Sequence, residues 1–480
     1  MKLIKHQLNL LLLVALIIIQ SCITNKNPQL SDKQNLPSSY NSNVGSSKDS
    51  LKSTKDFFKD KILIGLIDSA LNNNFDLLRA IQRIEFAKAN YLNSKGVFLP
   101  SLNIAANSGV DKFSKNTMNG LGNFDTNLSP NLPSNTRIPD PTPDYFLGLR
   151  SSWEVGIWGK YKNLKKSAFQ RLVATENGKR LIQTSLVAQV ASLYFQLLAL
   201  DSELEIINRN LILQQAALDN IEILKQGARA NELAVQQFNA QVLDTKSLQA
   251  RKEQDIVYME NALNTILGRY PQTIERGTKI IEQTIPQEMS TGIPTNLLFK
   301  RPDIMQAENL LSASSADLAV ARAAFFPSLT INSYAGYNSF KSSLLFEPSS
   351  VAYGVIAGLM GPVFNRFEIK ANYKRAKAMQ MDAFYNYQFT LVNGYQEVLT
   401  NLKGIENYQK VYNLKAEEVI ALNKAVSASN DLFFAGAATY LDVITARRFA
   451  LDSELQQTNS KRDQLLYMVE LYRALGGGWN

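Results

Sequence analysis

The chain has 480 residues and a formal net charge of +9, and it contains a single histidine and a single cysteine. Both lie in the N-terminal segment, at His6 and Cys22, so the rest of the chain cannot build a zinc site, a Ser-His-Asp triad or a Cys-His dyad. Basic residues alternate with acidic ones instead of clustering, which argues against nucleic-acid binding. With no phosphate-binding glycine motif either, the sequence predicts a protein that is not an enzyme and has no cofactor or metal site.

The first 21 residues are typical of an export signal peptide. Lys2 and Lys5 precede an apolar segment, Leu10 to Ile19, which is too short for a stable transmembrane helix. Gln20 and Ser21 follow, and then Cys22. This order resembles a bacterial lipoprotein signal, in which the cysteine becomes the lipidated first residue of the mature protein. The alternative is an ordinary signal peptide with an incidental cysteine.

Residues 22–60 are predicted to form a lipid-anchored tether. The stretch 25–56 is rich in Ser, Asn, Lys and Asp and has too few apolar residues to build a core. Neither Ile23 nor Thr24 is the acidic residue that tends to retain enterobacterial lipoproteins at the inner membrane. The outer membrane is therefore the favoured location.

The remainder of the chain contains an internal duplication. Phe98-Leu99-Pro100-Ser101-Leu102 is followed 227 residues later (325 − 98) by Phe325-Phe326-Pro327-Ser328-Leu329. Each copy separates a helical pattern from an alternating one, and a loop, a second strand and a very long helical pattern follow. We predict a first repeat over residues 61–268, a linker over 269–300 and a second repeat over 301–476.

Each repeat is predicted to contain two strands with unlike faces. In residues 102–110, for example, mostly apolar side chains alternate with a side that carries Asn103 and Asn107. The four predicted strands are 102–110, 146–155, 329–338 and 351–364. A long proline-rich loop over 116–143 separates the first pair, and a shorter loop over 341–350 separates the second.

Helical patterns account for most of the other residues. The predicted helices are 62–97, 160–226 and 231–267 in the first repeat, and in the second repeat 302–324, one that ends at 434 and one that ends at 475. The helix from Lys160 to Gln226 would extend about 100 Å. Its apolar residues step by three and four, which predicts coiled-coil packing. Gly227 and Gly436 are predicted to end the two long helices.

Four strands in one chain cannot close a barrel. Open strand edges in lipid leave unpaired backbone groups, each of which is costly. We therefore predict that copies of the chain associate about a rotation axis and close one barrel together, with the long helices lining a tube that continues it. Such a structure is a conduit. The alternative from another class is a lipid-anchored coiled-coil scaffold without a pore, which the four amphipathic strands disfavour.

Two motifs resemble a known family. Arg301-Pro302-Asp303, with Val320-Ala321-Arg322-Ala323-Ala324-Phe325-Phe326-Pro327-Ser328-Leu329, resembles the signature of outer-membrane efflux lipoproteins of the TolC family. The stretch from Phe434 to Arg447 resembles the helix-turn tip of the same family. The resemblance covers roughly residues 60–476 and includes the order of the elements.

The resemblance implies a mainly α fold with a small membrane β-barrel part. Three protomers, each with four transmembrane strands and internally duplicated long coiled-coil hairpins, would form a twelve-stranded barrel above a twelve-helix periplasmic tunnel, a trimeric α/β-barrel. The tether, the linker and the C-terminus would form an equatorial belt. The two strand loops would face the exterior.

The resemblance also implies a passive channel of a tripartite efflux pump. Its partners would be the other protomers of a homotrimer, a periplasmic adaptor (membrane fusion protein), an inner-membrane pump of the resistance-nodulation-division type, and outer-membrane lipid. A type I protein-secretion channel of the same fold is the alternative within transport. The lipoprotein signal and the Arg301-Pro302-Asp303 region favour efflux of small molecules.

In this family the tunnel narrows just past the helix-turn tips, and the motif match implies gate roles for Leu441, Asp442, Thr445 and Arg448. Asp442 matches an acidic position of the family, and Arg448 matches a basic position of the lipoprotein branch. Thr445 stands where relatives often carry a second Asp. Three copies of Asp442 near an axis would repel one another. The residues alone also fit a capping box, in which Asp442 caps the returning helix, and both interpretations stay open.

The first repeat offers further candidates at its own tip. Glu232, beside the predicted N-cap Asn231, is a weaker candidate for the gate. Small residues at both turns allow tight helix reversal, and by analogy with the family they would contact the adaptor. These positions are Gly227, Ala228, Gly436 and Ala437.

Overall fold

The computed structural model describes residues 53–284, 295–364 and 367–479. The predicted signal peptide, the lipidation site Cys22 and most of the predicted tether lie outside the described residues. Helices make up most of the described chain, and a four-stranded sheet accounts for the rest of its regular structure.

The α-helices of the described residues are α1 (Thr54–Phe57), α2 (Lys61–Asn73), α3 (Phe75–Gly96), α4 (Met118–Leu128), α5 (Lys160–Gln226), α6 (Glu232–Ile266), α7 (Pro302–Ala323), α8 (Glu368–Phe434) and α9 (Tyr440–Ala474). The duplication is visible in their lengths. Helices α5 and α8 have 67 residues each, α6 and α9 have 35 each, and α3 and α7 have 22 each. The long helix predicted from Lys160 to Gln226 is confirmed at both ends.

Two predictions about the first repeat are wrong in detail. The single helix expected over 62–97 is interrupted, because the side-chain oxygen of Asn74 accepts hydrogen bonds from the backbone of Asp76 and Leu77 (3.0 and 3.1 Å) and so starts a new helix. The loop expected over 116–143 contains helix α4. The Asn127 side chain holds that helix in place by exchanging two hydrogen bonds with the backbone of Ile138 (2.8 and 2.9 Å).

The strands are β1 (Ser101–Asp111), β2 (Thr142–Val155), β3 (Ser328–Ser339) and β4 (Val351–Met360), and they form one antiparallel sheet in chain order. Strand β4 ends four residues earlier than predicted, before Pro362, which has no N–H to donate. The pairing of β2 with β3 joins the two repeats, with Gly148 opposite Gly336. The outer edges of β1 and β4 pair with no described strand.

The two faces of the sheet differ in polarity. Because side chains alternate along a strand, the pairing register assigns each residue to one face. One face is largely apolar and carries Leu102, Ile104, Leu147, Leu149, Ile331, Tyr353, Val355 and Leu359. The other face is more polar and carries Asn103, Asn107, Arg150, Asn332 and Asn338.

The largest hydrophobic core lies at the middle of the long helices. It contains Leu63 and Ile67 of α2, Val187, Tyr194 and Leu197 of α5, Leu263 of α6, and Val469 and Tyr472 of α9. The buried Tyr194 hydroxyl donates to Asp60 Oδ2 (2.9 Å) and accepts from the Gly277 N–H (2.8 Å). Asp60 in turn caps α2, so one hydrogen-bond network joins the start of α2, the middle of α5 and the predicted linker.

Arg301, the first residue of the Arg301-Pro302-Asp303 motif, anchors three helices. Its side chain is buried, and the residue is only 3% exposed. The guanidinium donates two hydrogen bonds to Asp303 (3.0 and 2.7 Å), one to Glu397 of α8 (2.8 Å) and one to the Ala474 carbonyl at the end of α9 (2.8 Å). That carbonyl has no partner within its own helix. The motif therefore has a structural role.

The two helix reversals use the same backbone geometry with different residues. In the first tip (residues 227–231), Ala228 has a left-handed conformation with φ of 58°; in the second tip (435–439), Gly436 has φ of 75°. The N–H of Arg229 donates to the Leu224 carbonyl and that of Ala437 to the Leu432 carbonyl, both at 2.8 Å, as in the Schellman motif. Gly227, predicted to permit the first reversal, has φ of −82°, so Ala228 is the strained residue.

We predict that Arg301→Ala lowers the stability of the fold by about 2 to 4 kcal/mol, because two partly buried carboxylates and a helix-terminal carbonyl lose their donor. The measurement is the thermal midpoint of the helical circular dichroism signal in detergent. Lys403→Ala is the matched control, since Lys403 pairs with Glu406 on the surface at 57% side-chain exposure and its loss is expected to cost less than about 1 kcal/mol. Equal midpoints for Arg301→Ala and wild type would contradict the anchor.

The tips provide a reciprocal pair of substitutions. Gly436→Ala is expected to cost about 1 kcal/mol at the second tip, whereas Ala228→Gly is expected to relieve a similar strain at the first. A Cβ added at Gly436 would meet no atom within 4 Å, so the effect is one of backbone conformation alone. Hydrogen exchange of the tip amides measures both changes. We expect the two substitutions to change the protection of the tip amides in opposite directions. A change in the same direction for both would refute this explanation.

Candidate functional site

The two tips lie side by side at one end of the helical body. A small hydrophobic core joins the hairpin of α5 and α6 to the hairpin of α8 and α9. It contains Leu218, Ile221, Ala234, Val235, Phe238, Val242 and Val443, with Phe433, Tyr440 and Ile444 packed against it. Since Val443 belongs to α9 and the other buried members belong to α5 and α6, the side chains beside Val443 are held at a defined place relative to the first hairpin.

Asp442 caps α9. Its Oδ2 atom accepts hydrogen bonds from the Thr439 N–H (2.8 Å) and the Thr439 hydroxyl (2.7 Å), so the capping role is observed. Both bonds lower the pKa of the exposed Asp442 carboxyl below its ordinary value, and the bond from the hydroxyl has the larger effect. The carboxylate therefore stays charged at neutral pH, and its contribution to the cap is lost only when the pH falls through this lowered pKa.

The four predicted gate residues lie in the first turns of α9. All four side chains, those of Leu441, Asp442, Thr445 and Arg448, are exposed. Their spacing of one, three and three residues places them within about two helical turns of each other. Arg448 forms no ion pair with any described residue. The start of α9 thus presents an apolar, an acidic, a hydroxyl and a basic side chain together.

Arg447 is a tip residue that the sequence analysis missed. Unlike Arg448, it turns toward the first hairpin, where its Nη1 atom donates to the Leu213 carbonyl of α5 (3.3 Å). Burial lowers the pKa of its guanidinium, because the charged form loses water. The signal available in the sequence was its spacing of four from Val443, which places both side chains on the face of α9 that packs against α5.

Glu232 belongs to a different environment from Asp442. It pairs with Lys225 across the first tip and accepts a hydrogen bond from Gln236 (2.6 Å). The bond from Lys225 is the main reason that the pKa of Glu232 is lowered. The neighbouring N-cap prediction is confirmed, since Asn231 Oδ1 accepts from the Ala234 N–H (3.0 Å).

The duplication assigns no acidic partner to Asp442 in the first repeat. Helices α6 and α9 begin 208 residues apart (440 − 232), as do α5 and α8 (368 − 160). By this offset Asp442 corresponds to Ala234, which is fully buried, and Glu232 corresponds to Tyr440. Of these two equivalent positions, only the one in the second repeat is acidic in each chain.

The predicted contact residues of the tips are accessible. Gly227, Ala228, Gly436 and Ala437 are all exposed, so each turn presents bare backbone with almost no side chain. Within the described residues, no group of three or more His, Cys, Asp or Glu side chains could hold a metal ion. The arrangement offers exposed backbone at the turns and charged side chains beside them.

Known proteins resemble this chain over most of its length. The family model of outer membrane efflux proteins matches residues 66–269 and 293–477. The chain is 29% identical over 440 residues to the solvent efflux pump outer membrane protein SrpC of Pseudomonas putida, covering 90% of this chain and 88% of SrpC. It is also 29% identical over 424 residues to the cation efflux system protein CusC of Escherichia coli strain K12, covering 88% of each.

Solved structures agree with this similarity. A crystal structure of CusC matches the fold with a TM-score of 0.80 at 26% identity, covering 95% of this chain and 98% of CusC. The outer-membrane channel OprN matches with a TM-score of 0.83 at 22% identity, covering 95% of this chain and 99% of OprN. The second likeness concerns the fold alone. From the family match, the described fold and these relatives together, we conclude that the chain belongs to the outer membrane efflux protein family, the TolC-type channels of the outer membrane.

Proposed function

We propose that three copies of this chain form the passive outer-membrane conduit of a tripartite efflux system. The observation that carries the proposal is the sheet of four strands with two unpaired edges, continued by two hairpins whose long helices have 67 residues each. In lipid those edges need partners. Three copies would supply twelve strands, with β4 of one protomer beside β1 of the next and the apolar face toward lipid.

The two ends of each protomer support different attachments. At the N-terminus, Cys22 would carry the lipid that anchors the chain, and the tether would lead to α1. At the other end, the exposed turns around Gly227, Ala228, Gly436 and Ala437 would contact a periplasmic adaptor, because small residues allow another helical hairpin to approach the backbone closely. An inner-membrane pump of the resistance-nodulation-division type would supply the energy, so this chain would carry out no chemistry.

The alternatives receive less support. A scaffold without a pore needs neither the sheet nor its apolar face, and the relatives are named as efflux components. A protein-secretion channel of the same fold is disfavoured by the same names. The cargo is a separate question, because SrpC is named for solvent efflux and CusC for cation efflux at the same identity to this chain.

We place the gate of this conduit at the second tip. Three copies of Leu441, Asp442, Thr445 and Arg448 would surround the axis, and the alternating charges of Asp442 and Arg448 would allow each protomer to pair with its neighbour. Because Glu232 is already paired with Lys225, we assign it a smaller role. Asp442 would serve both as cap and as gate.

We predict that Asp442→Ala combined with Arg448→Ala increases the single-channel conductance of the purified protein in a planar bilayer, because the charges that draw the tips together are removed. Cells that carry this double variant are expected to become sensitive to a large antibiotic such as vancomycin. Small steps in wild type and larger steps in the variant are the result that supports the gate.

Asn231→Ala separates gating from capping. It removes the N-cap of the first tip without changing any charge, at a cost of about 1 kcal/mol like the loss of the Asp442 cap. Conductance close to wild type is expected for this variant. If Asn231→Ala opens the channel as much as the double variant does, loss of a helix cap explains the effect and the gate is refuted.

A further inference from the structure

A single arginine lies at the middle of the polar face of the sheet. Arg150 of β2 is paired across the sheet with Asn103 of β1 and with Tyr334 of β3. Its side chain is exposed, and it lies on the face opposite Leu147 and Leu149. If the apolar face meets lipid, this face lines the lumen of the barrel.

Arg150 is held in place without being neutralised. Its guanidinium lies over the ring of Phe146, 4.7 Å from the centroid, and Phe146 is buried against the edge of Tyr334, with ring centroids 6.0 Å apart. The Asn107 amide oxygen, in the orientation that satisfies its hydrogen bonds, accepts from Arg150 Nη2 at 3.2 Å. No carboxylate of the described residues lies within ion-pair distance of Arg150.

Glycines beside these rings leave room for the aromatic side chains. A Cβ at Gly148 would come within 3.0 Å of the Phe146 ring, and a Cβ at Gly354 would come within 2.6 Å of the Tyr334 ring. A Cβ at Gly354 would therefore clash with Tyr334, whose ring meets Phe146 edge-on beside the Arg150 guanidinium. The Phe146 ring and the Asn107 amide both contact the guanidinium, so two partners define its position.

The acidic residues of the same face lie near the ends of the strands. Glu154 and Asp144 are four and six residues from Arg150 along β2, which corresponds to about 13 and 20 Å, and Asp111 is paired with Thr142, beyond Asp144. Glu154 pairs with Lys160 (2.9 Å), and Asp144 accepts a hydrogen bond from Asn338 (2.7 Å). Both distances exceed the screening length of about 10 Å at 0.1 M salt, so the middle level of this face is positively charged.

Beside Arg150 the polar face forms a shallow recess of about 480 Å³. Its lining combines the cation with hydrogen-bonding side chains of three strands, namely Asn103, Ser152, Asn332 and Tyr334. A cation together with neutral donors is the set of groups that binds carboxylate, phosphate or sulfate. The volume is within the range of small-molecule sites.

We propose that Arg150 is an anion-binding position on the lumen wall and that three copies form a positive ring at mid-barrel, which favours the passage of anionic solutes. This inference rests on the trimeric conduit proposed above. The ring lies in the outer-membrane part of the channel, far from Asp442, so it acts on ion preference independently of the tips.

The test is the reversal potential of single channels under a potassium chloride gradient, measured for wild type and for the Asp442→Ala/Arg448→Ala variant, in which the tips no longer limit the current. In that background Arg150→Gln is expected to lower the chloride-to-potassium permeability ratio by about twofold, and Arg150→Glu to lower it further. Arg150→Lys keeps the charge and should keep most of the ratio. Lys115→Gln, which removes the same charge from the exposed segment between β1 and α4, should have a smaller effect.

The outcomes distinguish this inference from the proposed function. Channels that conduct but keep an unchanged permeability ratio in both Arg150→Gln and Arg150→Glu would overturn the anion site and leave the conduit intact. An equal fall in the ratio for Arg150→Lys and Arg150→Gln would also overturn it, because packing rather than charge would then be responsible. The absence of any conductance from membrane-inserted protein would overturn both proposals.

Discussion

The unpaired backbone groups along the outer edges of β1 and β4 are the constraint on which the rest of this structure depends. Within one chain the sheet is complete in the order β1-β2-β3-β4, and nothing in the described residues covers its two edges. In water such edges invite aggregation, and in lipid they are not tolerated. Closure by further copies satisfies them, and it places the long helices of every copy around one axis, which turns paired hairpins into the wall of a tube.

The duplication produces the helices of this wall in pairs of equal length, and the two repeats differ where the helices reverse. The paired helices have equal lengths, yet only the second tip carries Asp442, whose counterpart Ala234 is buried in the core that joins the hairpins. Arg301 forms hydrogen bonds to residues of α7, α8 and α9. These bonds hold the second hairpin together at the end away from its tip.

The sequence predicts the elements well because their signals are local. A heptad pattern ending at Gly227 defines α5, and alternating polarity defines the strands. What it fails to predict depends on contacts or on backbone bonding. The helix break at Asn74 is hidden because the apolar pattern continues through it, and the left-handed residue of the first tip is Ala228 because the Schellman hydrogen bonds, not the glycine, decide the position. The partners of Arg301 lie up to 173 residues away, beyond any local pattern.

The central claim is that the sheet edges are closed by copies of this chain, and native mass spectrometry of the detergent-solubilised protein tests it most directly. We predict an assembly of three chains that survives transfer intact, because each protomer contributes two edges to a closed barrel. A stable, membrane-inserted monomer, or a dimer that persists at low concentration, would contradict it. The edges of β1 and β4 would then be covered by some contact other than a barrel of three chains.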